Sequence, residues 1–98
     1  MNSNIARNPV DLIRIALKNK IHITHTHQGV LLCSGDNNYF PFTINGKNGD
    51  CSLIELTENG MIFIALSDNC ELSDGGKKEM YGINYKNIKS MVVEVEAH

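Results

Sequence analysis

The chain has no surplus of positive charge: nine Lys and Arg stand against eleven Asp and Glu, a formal net charge of −2 over 98 residues. A dedicated nucleic-acid binder shows excess cations, so this balance argues against that class and leaves room only for a local basic patch. No apolar run approaches the length of a membrane-spanning helix. The opening Met1–Arg7 lacks the apolar stretch of a secretory leader and reads as frayed. Cysteine is scarce. Cys33, Cys51 and Cys70 are an odd number at wide spacings with no CxxC pair, whereas a disulfide scaffold carries an even, denser set. Reduced thiols in a cytoplasmic protein are the simpler reading. P-loop, GxGxxG, HExxH and GxSxG patterns are absent as well. The expectation is a protein with no cofactor and no catalytic residues. Residues 1–98 show no repeat, linker or low-complexity tract and read as one domain.

What is present begins with a helix signal. Asn8 can cap through its side-chain oxygen, Pro9 suits the first helical position, and Asp11 lies in the turn that favours negative charge. The pattern runs to about Asn19, with Asp11, Arg14 and Lys18 on one polar stripe and apolar residues elsewhere. So wide an apolar circumference must be covered, by a sheet or by another chain.

From Ile21 onward every signal is for strands and turns. Ile21–His27 alternates, placing Ile21, Ile23, His25 and His27 on one face. Val30–Cys33 and Tyr39–Ile44 follow, the latter with Pro41, which requires an edge or a bulge. Asn45–Asp50 reads as a loop. Asn59-Gly60 between Ser52–Glu58 and Met61–Ser67 is a strong hairpin signal. A two-residue loop pairs Glu58 with Met61, Leu56 with Phe63 and Ile54 with Ala65. Both faces of that hairpin are then apolar, so it is expected to be covered on two sides. Ser73–Lys78 reads as a flexible loop, Glu79–Tyr85 as a strand, Lys86–Ser90 as a short helical turn and Met91–Glu96 as the last strand.

Four groups of residues bear on function. His25 and His27 are the outside candidates for metal ligands, since two histidines on one strand face can chelate an ion. A third ligand would have to come from a distant segment, so no metal is expected and both are read as rim histidines. Glu55 lies among apolar neighbours and is read as hydrogen-bonded rather than catalytic. The three cysteines are read as structural thiols rather than nucleophiles. Lys77, Lys78, Lys86 and Lys89 with Tyr81 and Tyr85 form the candidate binding set. Basic residues interleaved with aromatics suit a nucleic-acid or anionic-lipid surface.

Two resemblances follow from short segments. Pro9–Ile13 and Ala16–Ile23, a short helix running directly into a strand, with Gly29-Val30-Leu31, Asp36 and Asn38, and then Tyr81–Ile88, resemble Sm-like proteins. That resemblance implies a small β-barrel and a nucleic-acid-binding role, although the RNA-contacting residues of that family are not matched as a set. Leu56–Phe63 followed by Ile83–Ser90 is similar to bacterial pleckstrin-homology-like domains, whose usual C-terminal helix has no counterpart here. No residue role is carried over from either family.

The sequence therefore predicts an α+β domain that is mainly β. One N-terminal helix packs on a small, strongly bent antiparallel sheet or barrel of about five to seven strands. The function expected is that of a non-enzymatic binding or adaptor module that self-associates, with a protein partner possible. A nucleic-acid-binding protein of the Sm-like kind is the alternative, and a histidine-based metal protein or enzyme the second alternative.

Overall fold

The computed structural model describes residues 3–18, 22–33 and 39–96. In chain order the elements are β1 (Ser3–Ala6), α1 (Pro9–Lys18), β2 (His22–His25), β3 (Gly29–Cys33), β4 (Phe40–Ile44), β5 (Lys47–Thr57), β6 (Met61–Leu66), β7 (Met80–Asn84) and β8 (Met91–Glu96). Two 3₁₀ turns, Glu71–Ser73 and Tyr85–Asn87, flank β7. All eight described strands join one antiparallel sheet, curled into a half-barrel with α1 against its inner side. The fold is α+β and mainly β, as the single helical pattern followed by strand patterns requires.

The helix starts as its cap residues dictate. The Asp11 amide donates to Asn8 Oδ1 at 2.8 Å, and Asn8 Nδ2 donates back to Asp11 Oδ2 at 3.1 Å, so one side-chain pair closes the first turn. Leu12 and Ala16 are buried in the same core as Ala6 of β1 and Val93 and Val95 of β8.

The segment before the helix, expected to fray, includes β1, which pairs with β8 from Ser3↔Glu96 to Ala6↔Val93. A four-residue strand whose partner lies at the far end of the chain leaves no local signal. It accounts for the eighth strand. Asn45–Asp50, read as a loop, is a tight Asn45-Gly46 turn followed at once by β5, with Ile44↔Lys47 already paired. Asn45 sits at φ 51° and Gly46 at φ 83°, so the residues suited to positive φ do make the turn, and the turn is shorter than their run suggests. Pro41 lies within β4 between β5 and β8, but the β8 ladder begins only at Phe42↔Val93. Locally, Pro41 therefore stands at an edge.

The hairpin at Asn59-Gly60 is present with a different register. Ile54 pairs with Ile64 and Leu56 with Ile62, so the loop is three residues, Glu58 to Gly60. Gly60 takes the left-handed φ of 81° that closes such a loop. Thr57 holds it shut: its hydroxyl accepts from the Met61 amide at 3.0 Å and donates to the Met61 carbonyl at 2.9 Å. A one-residue slip moves every side chain of one strand to the other face. Ile54, Leu56, Ile62 and Ile64 now share the inner face and are buried. Leu53, Glu55, Phe63 and Ala65 share the outer face and are half-buried. The two faces are therefore not covered alike: the inner one is fully buried, and the outer one is half-buried except at Thr57, which is buried.

At the other end of β3, Gly29 lies so close to β5 that a Cβ there would sit 2.0 Å from the Leu56 carbonyl oxygen. The Glu58 amide donates to the Gln28 carbonyl at 2.7 Å and fixes that approach. Gly29→Ala should force the two strands apart and cost about 2 kcal/mol or more, a fall in Tm of roughly 10 °C for a chain this size. Thermal unfolding followed by circular dichroism measures it, and an unchanged Tm would show that β3 and β5 are not held this closely.

Candidate functional site

The structure does not assemble the lysine and tyrosine set into one surface. Lys77 and Lys78 precede β7 and Lys86 and Lys89 follow it. The five strand residues between them span about 17 Å, so the cations form two separate exposed pairs. The first pair belongs to a closed turn in which the Lys78 amide donates to the Ser73 carbonyl at 2.7 Å. The second pair is positioned by Asn45, whose Oδ1 accepts from the Lys89 amide at 2.7 Å and the Ser90 amide at 3.2 Å. Asn45 Nδ2 donates to the Asn87 carbonyl at 2.9 Å. One side chain thereby ties the β4–β5 turn to the segment that carries Lys86 and Lys89.

Tyr81 pairs with Ile64 and shares its strand face with buried Ile83, and both Tyr81 and Tyr85 pack against the core. The Tyr85 hydroxyl donates to the Thr57 carbonyl at 3.4 Å. Desolvation pushes its phenol above the usual tyrosine range.

His25 and His27 are both exposed. β2 ends at His25, and His27 lies in the turn closed by the Thr26 amide donating to the Gly29 carbonyl at 2.9 Å. The strand alternation that would align the two imidazoles therefore stops between them. Among the described residues no group of three or more His, Cys, Asp or Glu is placed to hold a metal ion. Thr26 does further work at this turn. Its hydroxyl oxygen accepts from the Gln28 and Gly29 amides at 3.2 and 3.0 Å, and the hydroxyl donates to Glu55 Oε2 at 3.1 Å. Glu55 thus has a hydrogen-bond partner at the sheet rim.

The cysteines divide by depth. Cys51 and Cys70 are buried and Cys33 is half-buried, all three as free thiols. Cys70 lies directly on Gly49 of β5, and its sulfur accepts from the Leu72 amide at 3.4 Å, starting the 3₁₀ turn. Burial pushes the Cys51 thiol well above the usual thiol range, with Cys70 and then Asp50 adding to the effect. A thiol held protonated in this way is a poor nucleophile.

Two surfaces not singled out from sequence come from the register. The outer side of the sheet carries two cross-strand rows, Leu31–Glu55–Phe63–Gly82 and Cys33–Leu53–Ala65–Met80. The second row ends on Met80, which is 50% exposed. On the outer side of β8, β4 and β5 lies a shallow open depression of about 330 Å³, lined by Pro41, Thr43, Asn48, Asp50, Val92 and Glu94 among others. The correct hairpin register would have revealed the first surface. The second needed the β4–β8 pairing, which no local pattern announces. No family model, curated protein or solved structure matches the chain.

Two measurements probe these placements. In the native protein a chromogenic disulfide reagent should titrate Cys33 first, with Cys51 and Cys70 appearing only on unfolding; prompt titration of all three would contradict their burial. Tyr85 carries a raised folded-state pKa, so its contribution to stability is present below about pH 10 and is lost as pH rises through the folded value. Tyr85→Phe should lose less Tm than wild type between about pH 9 and about pH 11; equal losses would mean that the phenol is not desolvated.

Proposed function

We propose that this protein is a small, non-enzymatic binding or adaptor module that self-associates. The observation that supports this reading is the apolar surface left outside a core already closed. Val10 and Leu17 on α1 are 64% and 65% exposed. Leu31, Leu53 and Phe63, each half-buried, line the outer side of the sheet together with Met80, which is 50% exposed. Apolar side chains grouped in this way, rather than scattered singly, mark surfaces that meet another molecule.

The alternative of Sm-like nucleic-acid binding rests on the lysine and tyrosine set. It draws less support, because the lysines fall in two pairs and both tyrosines pack on the core. Light scattering on a sizing column should show species larger than the monomer at micromolar concentrations. A clean monomer throughout the range refutes self-association. RNA binding that falls steeply with salt and is lost on Lys86→Glu with Lys89→Glu would replace this reading by the nucleic-acid one.

A further inference from the structure

The charges are distributed unevenly along the chain. Residues 1–20 hold four cations (Arg7, Arg14, Lys18 and Lys20) against one anion, Asp11, and the remainder holds five cations against ten anions. On α1 the exposed Val10 and Leu17 lie seven residues apart, two helical turns, on one side of the helix. Arg14, four residues after Val10, falls between them with its side chain 72% exposed. Among the described residues it is held by a surface pair to Asp11 at 3.4 Å, worth little in water. The outward side of the helix therefore presents an apolar, cationic, apolar sequence along about 10 Å.

The depression on β4, β5 and β8 has the complementary character. Pro41 and Val92 supply apolar floor, Asp50 and Glu94 supply carboxylates, and no Lys or Arg lines it. Ile5, 48% exposed, pairs with Glu94 and extends the apolar rim. The two features cannot meet within one chain. α1 packs on the inner side with Ala6, Val93 and Val95, whereas Ile5, Glu94 and Pro41 alternate to the outer side, so β8 and β1 stand between them.

We infer that α1 of one copy docks in the β4–β5–β8 depression of a second copy, with Arg14 between Asp50 and Glu94 and with Val10 and Leu17 on Pro41 and Val92. This rests on the self-association proposed above and specifies its surfaces. The contact joins two different patches, so it is head-to-tail, and propagates unless rotation closes a ring. Opposite charges at its rim make it weaker as salt rises.

The test uses two variants of the full chain. One carries Leu17→Asp with Arg14→Glu, spoiling the helix but leaving the depression. The other carries Asp50→Lys with Glu94→Lys, spoiling the depression but leaving the helix. The helix changes fall on exposed side chains, and circular dichroism with a melting curve establishes that each variant folds. Each alone should associate at least about ten-fold more weakly than wild type, the size of loss expected when a buried apolar anchor or its charge partner is removed. Mixed in equal amounts, the two should form a capped 1:1 dimer, because one intact helix meets one intact depression. If wild type associates and the variants do so equally well, the surfaces assigned here are wrong while self-association stands. If the variants are monomers but the mixture forms no dimer, the contact is not head-to-tail and the inference is overturned. If wild type itself is monomeric, both the inference and the self-association reading fall. Cosedimentation of wild type, but not of the helix variant, with phosphatidylserine vesicles, without self-association, would instead assign the helix stripe to an anionic membrane.

Discussion

Strand β5 meets two partners along one edge, β4 over Lys47–Cys51 and β3 over Leu53–Thr57, while β6 runs along the other edge. Where the one partner gives way to the other, the register with β6 shifts between Cys51 and Leu53, so that Ser52 is the extra residue of a bulge. A bulge bends its strand and increases the local twist. Here it separates the β4–β8–β1 wing from the β3–β2 and β6–β7 wings and turns them toward a common interior. That interior holds Phe40, Phe42, Ile54, Ile64, Val93 and the inward residues of α1 in one cluster. β4 and β3 pair with separate stretches of β5 on either side of this bend, and the curl gives the helix a concave side to fill.

The same strand explains which parts of the fold were legible in the sequence. The helix cap at Asn8, the Asn59-Gly60 turn and the residue types at Asn45-Gly46 are local chemistry, readable within a few residues. The failures came from choices that local chemistry leaves open. Two- and three-residue loops both accept Asn-Gly. What separates them here is Thr57, whose hydroxyl closes the longer loop onto Met61. That hydrogen bond appears only when the register is already known. β1 was illegible for a similar reason. Ser3–Ala6 has no turn linking it to β8, and only tertiary pairing makes it a strand.

The hairpin register also decides which apolar side chains reach the outer face. With the slipped pairing, Phe63 faced Leu56, and the hairpin looked apolar on both sides and hence doubly covered. With the observed pairing, the inner face is aliphatic and closed. The outer face mixes Glu55 with Leu53, Phe63 and Ala65, and all four are half-buried. The candidate lysines and tyrosines suffered from a different ambiguity. Tyr81 and Tyr85 are close in sequence to Lys78 and Lys86, but alternation along β7 sends the ring of Tyr81 inward while the cations stay at the strand's two ends. Proximity along a strand is not proximity on a face.

The exposed side of α1 shows how one physical limit shapes both fold and surface. A ten-residue helix has few side chains to offer the core, and the curled sheet takes Leu12 and Ala16 fully, with Ile13 and Ile15 partly. Isolated helices of this length are marginal in water, so α1 depends on that packing and on the Asn8–Asp11 cap to exist. Val10 and Leu17 contribute nothing to the core and are not needed for helix propensity beyond what a polar residue would supply. Their apolar character is therefore not explained by the stability of one chain. The docking inferred above gives these side chains an occupant, because the depression on the outer side of β4, β5 and β8 sets Asp50 and Glu94 around an apolar floor and so opposes the charge of Arg14.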